Sequence, residues 1–427
     1  MAIRNNVQNV SGTSQLAAEV MDRCRRLASF SEDASGTRRT FLSPPMRDVH
    51  RAISGWLALL GVTAEIDAAG NLRALYEAGG SAAPRLLIGS HLDTVPNAGA
   101  YDGILGVLLA IALIKGLAGR RLPYAIEIVG FSEEEGVRFG VPFIGSRALT
   151  GRLDAKLLDK RDARGFSVRD AIVEFGLNPH EVAEAHVSND TFGYVEFHIE
   201  QGPVLDTLEL PLAVVDAIAG QSRMEVTFIG RANHAGTTPM NLRFDAMAGA
   251  AEWIAAVERE AKGTSGLVAT VGSVHTQPGA TNVVAREARL SLDVRHRDDG
   301  VRKQAVQNLT QRAEKIAAMR GLSVSSVAHL DQAAVTMDPV LSDHIEQAIR
   351  KSGIKAHRMV SGAGHDAMVL AEKVPAGMIF LRTPGGISHD PAESVAVEDV
   401  EKAIECGLNL LDQLSASPSV ETRTRRV

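Results

Sequence analysis

The stretch Leu86–Gly106, LLIGSHLDTVPNAGAYDGILG, constrains this chain more than any other. Its opening run, Leu86-Leu87-Ile88, has the length and apolarity of a short buried strand. Gly89-Ser90 end the run, and His91 and Asp93, two residues apart, fall on one face at the strand's carboxyl end. A turn-rich segment with Pro96, Asn97 and Gly99 follows, and Asp102-Gly103 leads into an apolar helix over roughly 103–118. Open α/β sheets gather their chemistry at this strand-to-helix edge. An imidazole and two carboxylates collected there suggest a metal site, because N and O donors suit a borderline divalent ion such as zinc.

The pattern recurs. A strand expected over 124–131 ends in Ser132-Glu133-Glu134-Glu135-Gly136, and another over 193–199 ends in His198-Ile199-Glu200-Gln201-Gly202. Three like charges directly after a buried strand repel one another, and a cation relieves the repulsion. A solitary His at a strand end is more often a hydrogen-bonded structural residue than a ligand. Here His91, His198 and His389 each stand beside Asp, Glu or Gln at such a position, which favours a joint metal reading.

The remaining elements follow from periodicity. Apolar spacing predicts helices over 14–27 and 45–60, the second carrying Met46, Val49, Ile53, Trp56, Leu57 and Leu60, with Gly61 placed as its C-cap. Short strands are expected over 63–66 and 71–76, and residues 151–190 read as a polar, helical covering segment. After about Ala213 the texture changes. Strands over 224–229, 267–274, 288–295 and 323–329 alternate with helices over 243–262 and 301–319, the order of a small ferredoxin-like α+β domain inserted in a larger α/β one. The expected division is 1–215, an inserted 216–332, and 333–427, the last with helices over 340–352 and 397–415 and a strand over 376–381. The loops GRANHAGTTPMN and TQPGATNVV read as site loops. The tail from Ser415 is polar and reads as frayed.

Composition excludes several classes. At 427 residues the chain is long enough for two or three domains, and 45% hydrophobic with 22% charged residues is ordinary for a globular protein. A net charge of −6, with no basic stripe beyond Arg423, Arg425 and Arg426, argues against nucleic acid as a partner. The apolar helix near 104–117 is too short to span a bilayer, so no membrane partner is expected. MAIRNNVQNVSG has no apolar core of a secretory signal, and Cys24 and Cys406 lack any CxxC spacing, so a cytoplasmic setting with unpaired thiols is expected.

An ordered set of motifs spans nearly the whole chain: SHLDTV at 90–95, YDG at 101–103, EEEGVRF at 133–139, HIEQGPVL at 198–205, NHAGTTPM at 233–240, GATNVV at 279–284, LDVRH at 292–296, SGAGHDA at 361–367 and SHDPAE at 388–393. With them the chain resembles the zinc-dependent M20 peptidase superfamily, and in particular its hydantoinase/carbamoylase branch of N-carbamoyl-L-amino-acid hydrolases, β-ureidopropionases and allantoate amidohydrolases. The resemblance implies a larger two-part catalytic domain, a mixed sheet flanked by helices, and an inserted lid and dimerisation domain. It implies two divalent ions, Zn²⁺ or Mn²⁺ with Co²⁺ or Ni²⁺ as alternatives. His91, His198, Glu135 and His389 match the terminal ligands, Asp102 the bridging ligand, and Asp93 the residue that orients His91. Aligned on GVRF, Glu134 matches the general base and Glu133 an outer carboxylate. His234 matches the group that stabilises the oxyanion. Asn282 and Arg295 match the holders of the substrate carboxylate, and Gln201 is expected on the ureido group or on His198. A homodimer through the inserted domain is implied as well.

The implied reaction is hydrolysis of a ureido C–N bond in a small carboxylate-bearing molecule. An N-carbamoyl-L-amino acid is favoured, giving ammonia, CO2 and the amino acid. FGVPFIGSRALTG at 139–151 looks like the carbamoylases, whereas TRRTFLSPPMRDVHRAISGWL at 37–57 and NAGAYDG at 97–103 look like allantoate amidohydrolases, whose products are ammonia, CO2 and ureidoglycine. An N-acyl-amino-acid amidase or dipeptidase is a further alternative. A relative that binds metal without catalysis predicts a missing ligand or base, and every matched position is filled.

Overall fold

The computed structural model describes residues 2–80 and 83–416, so the expectations for the tail fall outside the described residues. The chain divides into two compact units, one of Met1–Asp216, Met337–Met359 and Gly364–Val427, the other of Ala217–Thr336 and Val360–Ala363.

The first unit opens with helices α1 (Ala2–Ala28) and α2 (Pro44–Ala58). Met46, Val49, Ile53 and Leu57 form the buried stripe of α2, and Gly61, at φ +71°, closes its end with its N–H on the Ala58 carbonyl. Strands β1 (Ala64–Ile66), β2 (Leu72–Tyr76) and β3 (Arg85–His91), helix α3 (Ile104–Gly116) and strand β4 (Ala125–Phe131) come next. Every residue from Ile104 to Ile114 is buried in α3, which touches β3, β4 and β5 (Thr191–Ile199) as well as α1 and α12 (Val397–Ser415). An apolar helix without a polar face has to lie in the core.

Between β4 and β5 the covering segment holds only α4 (Ile144–Leu149), α5 (Ala155–Leu158), α6 (Val168–Glu174) and a short 3-10 turn. The helical expectation for 151–190 was too generous. Asp162 accepts the Arg164 and Phe166 amides, and Gly165 and Gly176 adopt positive φ, so side-chain turns and glycines break the segment. Helix α7 (Val204–Leu208) and strand β6 (Leu212–Ile218) complete this part of the chain; β6 was not anticipated.

The second unit contains β7 (Gly220–Ile229), α8 (Ala246–Gly263), β8 (Val268–Thr270), β9 (Val274–Gln277), β10 (Glu287–His296), α9 (Asp299–Arg320) and β11 (Ser323–Gln332). Its antiparallel sheet has the order β11-β7-β10, with β8 and β9 both on the far side of β10, which is the split βαβ order of a ferredoxin-like fold. The single strand expected over 267–274 is two strands. Gly272-Ser273 interrupt it, and the Ser291 hydroxyl accepts the Ser273 amide at 2.9 Å where ladder pairing lapses. Phe228, Trp253, Leu290 and Ile316 fill this unit's own core.

After β12 (Val335–Thr336) come α10 (Pro339–Lys351), β13 (Arg358–Ser361), α11 (Asp366–Leu370), β14 (Ala376–Leu381) and α12. In the first unit β3, β4, β5 and β14 run parallel in the order β4-β3-β5-β14, with β2 antiparallel on one flank and β6 on the other. A mixed sheet flanked by helices is the expected class. The four parallel strands place residues 91, 132–135, 198 and 382–389 at one carboxyl edge.

His50 on α2 supplies a stability test. Its ring is buried edge-on against Phe175, and burial, with Arg47 nearby, lowers its pKa to about 4. The unfolded chain takes up a proton below the ordinary value near 6.5, whereas the fold resists it down to about 4. Stability therefore falls as pH drops through that window, by about 2 kcal/mol at pH ~4.5. Followed from pH 7 to 4.5, the urea midpoint of wild type should fall relative to that of His50→Leu, which lacks the titrating ring; parallel curves would contradict this.

Candidate metal centre

His91 ends β3, and its Nδ1 lies 2.9 Å from the Asp93 carbonyl oxygen. His198 lies near the end of the neighbouring β5, with its Nδ1 2.9 Å from the Ile199 carbonyl. A carbonyl only accepts, so in each neutral ring the proton is assigned to Nδ1 and the Nε2 lone pair is left free. Those two Nε2 atoms face each other at 3.3 Å, and Asp102 Oδ1 lies 3.3 Å from one and 3.9 Å from the other. Two lone pairs and a carboxylate oxygen so placed repel unless a cation or proton lies among them. Imidazoles tied at Nδ1 to backbone carbonyls are the arrangement that metal-binding histidines use.

Asp102 faces a second group. Its Oδ2 is 3.4 Å from His389 Nε2, which is itself 3.8 Å from Glu135 Oε1. In both groups, His91–Asp102–His198 and Asp102–Glu135–His389, candidate ligand atoms lie within 4.8 Å of one another, and Asp102 belongs to each. Glu134 forms a similar group with His91 and Glu135, whereas Glu133 belongs to none of them. The donor set, imidazole nitrogen and carboxylate oxygen at one buried edge, fits divalent ions.

Electrostatics point the same way. Burial, then the charge of Glu135, pushes Glu134 well above the usual carboxylate range, and burial with Asp102 nearby raises Glu135 to about 7. Burial also acts to raise Asp102, but the hydrogen bond from His389 and the neighbouring His198 and His91 outweigh it and hold the group low. Burial lowers His198 to about 4, with Asp102 opposing. Acids crowded in a dry crevice gain from a cation among them.

The supporting contacts differ in part from expectation. The Asp93 carboxylate accepts the amides of Glu134 at 2.9 Å and Glu135 at 3.1 Å, and its Oδ1 also lies 3.5 Å from His91 Nδ1, beside the closer Asp93 backbone carbonyl. Asp93 thus aims the acidic run as well as the imidazole. Gln201, at φ +58°, turns its amide nitrogen toward both Asp102 oxygens at 3.2 Å and toward Ser388 and His389, and not toward His198. Gly103 has φ +67°, and a Cβ there would lie 2.4 Å from the His91 ring, so the helix can start beside that imidazole only on a glycine.

Sequence reasoning passed over Glu196 and His365. Glu196 accepts the Ser90 hydroxyl and the Ala367 amide, each at 2.9 Å, and the His365 ring packs edge-on to His198 at 4.4 Å. The signal was present: Glu196 and His198 alternate on one face of an otherwise apolar strand.

The other predicted residues lie in the second unit. His234 is exposed, and its Nδ1 accepts the Gly236 and Thr237 amides at 3.1 and 3.2 Å. The neutral ring is thereby assigned its proton on Nε2, as a donor. Asn282 is exposed on the adjoining loop, its carbonyl accepting the Ala235 amide. Arg295 is already engaged: Nε and Nη2 hold Asp293 at 2.8 and 2.9 Å, and Nη1 donates to the Gly362 carbonyl. One N–H remains on each terminal nitrogen.

The fold and this cluster define an α/β protein with an imidazole–carboxylate site for divalent ions at the carboxyl edge of its sheet. The chain belongs to Peptidase family M20/M25/M40, whose model matches residues 87–413. It is 38% identical to an allantoate deiminase of Arabidopsis thaliana, over 94% of this chain and 82% of that one. An N-carbamoyl-L-amino acid amidohydrolase of Geobacillus stearothermophilus is 37% identical, over 90% of this chain and 95% of the relative. The solved structure of a hydantoinase/carbamoylase family amidase from Burkholderia multivorans superposes with a TM-score of 0.89 at 28% identity, covering 94% of this chain and 98% of that one. No described helix is long and apolar enough to cross a membrane.

Proposed function

We propose that this chain is a metal-dependent amidohydrolase that cleaves the ureido C–N bond of a small carboxylate-bearing substrate, an N-carbamoyl-L-amino acid. The observation that carries the reading is the pair of imidazole Nε2 atoms facing each other at 3.3 Å beside a carboxylate, Asp102, that also faces Glu135 and His389. His91 and His198 would hold one divalent ion and Glu135 and His389 a second, with Asp102 facing both pairs. Zn²⁺ or Mn²⁺ fits this donor set, as do Co²⁺ and Ni²⁺. Such ions, when bound, acidify water and polarise a carbonyl.

The chain's own residues do the rest. Glu134 takes a proton from the attacking water at its carboxylate oxygen and returns it to the leaving nitrogen. Asp93 holds the Glu134 and Glu135 amides, so the base and its neighbouring ligand keep their aim. Gln201 steadies Asp102 and His389, and its amide is the group closest in character to a ureido contact. From the second unit, the His234 Nε2–H suits the oxyanion of the tetrahedral state. Asn282 and the free N–H groups of Arg295 suit the substrate carboxylate. That unit acts as lid and dimerisation domain in a homodimer, a role supported by an exposed β11 that carries Val327. Two buried free thiols, Cys24 and Cys406, support a reducing cytoplasm.

Allantoate is the second reading, supported by the likeness to the Arabidopsis deiminase over nearly the whole chain. Ammonia release from N-carbamoyl-L-amino acids and from allantoate, with Mn²⁺ or Zn²⁺ added, decides between them. Release from the carbamoyl compounds is expected. Release from allantoate alone selects the second reading, and none from either rejects the ureido assignment.

A further inference from the structure

We propose that Glu393 is a positioning residue that fastens the loop carrying Asp102 to the loop carrying His389, and so sets the spacing of the two ion positions. The inference rests on the two-ion reading above. Glu393 lies four residues after His389, is buried, and sends its carboxylate back across the crevice. Its Oε1 accepts the Tyr101 amide at 3.0 Å and the Asp102 amide at 3.1 Å. Its Oε2 accepts the Ser388 hydroxyl at 3.3 Å, next to His389. One carboxylate therefore spans the backbone of the shared ligand and the residue beside a terminal ligand of the second position.

The neighbouring backbone is shaped around this span. A Cβ on Gly99 would lie 2.5 Å from Glu393 Cβ and 2.7 Å from Oε1, so the 97–103 turn approaches this side chain only with glycine at 99. Gln201 closes the same ring from the other side, donating to Asp102 and to Ser388. His389 is the most exposed of the five proposed ligands, and its loop lies between a Pro-Gly-Gly turn and Asp390-Pro391. A buried acceptor shared by two backbone amides and a hydroxyl restrains where that loop stands.

Reach, and not negative charge, is what this role requires. Glu393→Asp keeps the charge but shortens the reach by roughly an ångström, so the Tyr101 and Asp102 amides lose their acceptor. Glu393→Gln keeps the reach: its oxygen accepts both amides and its NH2 donates to Ser388.

The test is Zn²⁺ binding by full-length, metal-stripped protein in competition with a chromophoric chelator, together with the visible spectrum of the Co²⁺-loaded protein. Thermal unfolding of the stripped proteins checks that each variant folds. Expected is a loss of Zn²⁺ affinity of about 10- to 100-fold in Glu393→Asp, with an altered Co²⁺ spectrum, and near wild-type behaviour in Glu393→Gln. Wild-type affinity and spectrum in Glu393→Asp, or equal damage in both variants, overturns the tether. If Asp at 393 does not fold, Ser388→Ala, which cuts the His389 side of the span, takes its place, and unchanged Zn²⁺ affinity there overturns the tether too. A wild-type protein that binds no Zn²⁺ overturns the two-ion reading itself, a distinct outcome.

Discussion

Replacing Glu134 with Gln is expected to lower ammonia release by about 10²- to 10⁴-fold while two divalent ions per chain remain bound. The geometry separates the two effects. The Glu134 amide is held by Asp93 Oδ1 at 2.9 Å through its backbone, and an isosteric amide side chain leaves that contact in place. Glu135 and His91, the neighbours with which Glu134 clusters, keep their donors. What disappears is the carboxylate's charge and, with it, acceptance of a proton in the transition state. The loss should therefore fall on kcat with KM little changed. The same experiment reads the register of the acidic run. Glu133 is fully buried and lies outside every imidazole–carboxylate group, whereas Glu134 and Glu135 share one with His91. If Glu133→Gln abolishes turnover and Glu134→Gln does not, the run is displaced by one residue and the base is Glu133. Turnover within tenfold of wild type in Glu134→Gln would remove the base from the mechanism.

The parallel strands were legible because they are buried on both faces and so read as unbroken apolar runs, each ending where its polar residues begin. That signature located β3, β4 and β5, and with them His91, the acidic run and His198. It failed where structure is made by side chains and not by periodicity. The turns around Asp162 look helical in composition, and the break between β8 and β9 rests on two small residues, Gly272 and Ser273, facing Ser291. Periodicity marks the insert as one contiguous stretch, yet Val360–Ala363 pack with it too, a return excursion of four residues that leaves no composition signal. In the site, residue types at strand ends marked the candidate ligands, but not what surrounds them. Gln201 turning to Asp102 depends on a left-handed backbone at Gln201 itself. The resemblance matches Arg295 to a holder of the substrate carboxylate, while a salt bridge at a strand end is the other reading its sequence position offers; the fold shows such a bridge, to Asp293 two positions away on the same strand face. Glu393 stands in the SHDPAE motif, and only the fold shows that it reaches residues nearly three hundred positions earlier in the chain.

Substituting Asp102 with Ala is expected to empty both ion positions, whereas His198→Ala or His389→Ala should weaken one and spare the other. The asymmetry follows from which oxygen faces which ring. Asp102 Oδ1 lies 3.3 Å from His198 Nε2, and Oδ2 lies 3.4 Å from His389 Nε2, so the two oxygens serve opposite sides. Removing an outer contact of a metal site costs about 10- to 100-fold in affinity. Removing a shared anionic ligand costs more, because each position then loses charge and a donor together; a drop of ~10³-fold, or about 4 kcal/mol, is expected at both. Alanine is the informative replacement, since an Asn carbonyl could still serve one side. Equilibrium dialysis against buffered Zn²⁺ followed by elemental analysis should give two ions per chain for wild type, one for each histidine variant and close to none for Asp102→Ala. The stripped protein also loses the stabilisation that saturating ligand supplies, about 4 kcal/mol at a thousand times Kd, so the Tm difference between Zn²⁺-loaded and chelated protein should shrink toward zero in Asp102→Ala alone. Retention of one ion at wild-type affinity in that variant would mean that the two positions do not share this carboxylate. The strand-end imidazoles would then form a mononuclear site, and Glu135 and His389 would have to be explained as a separate acid–base pair.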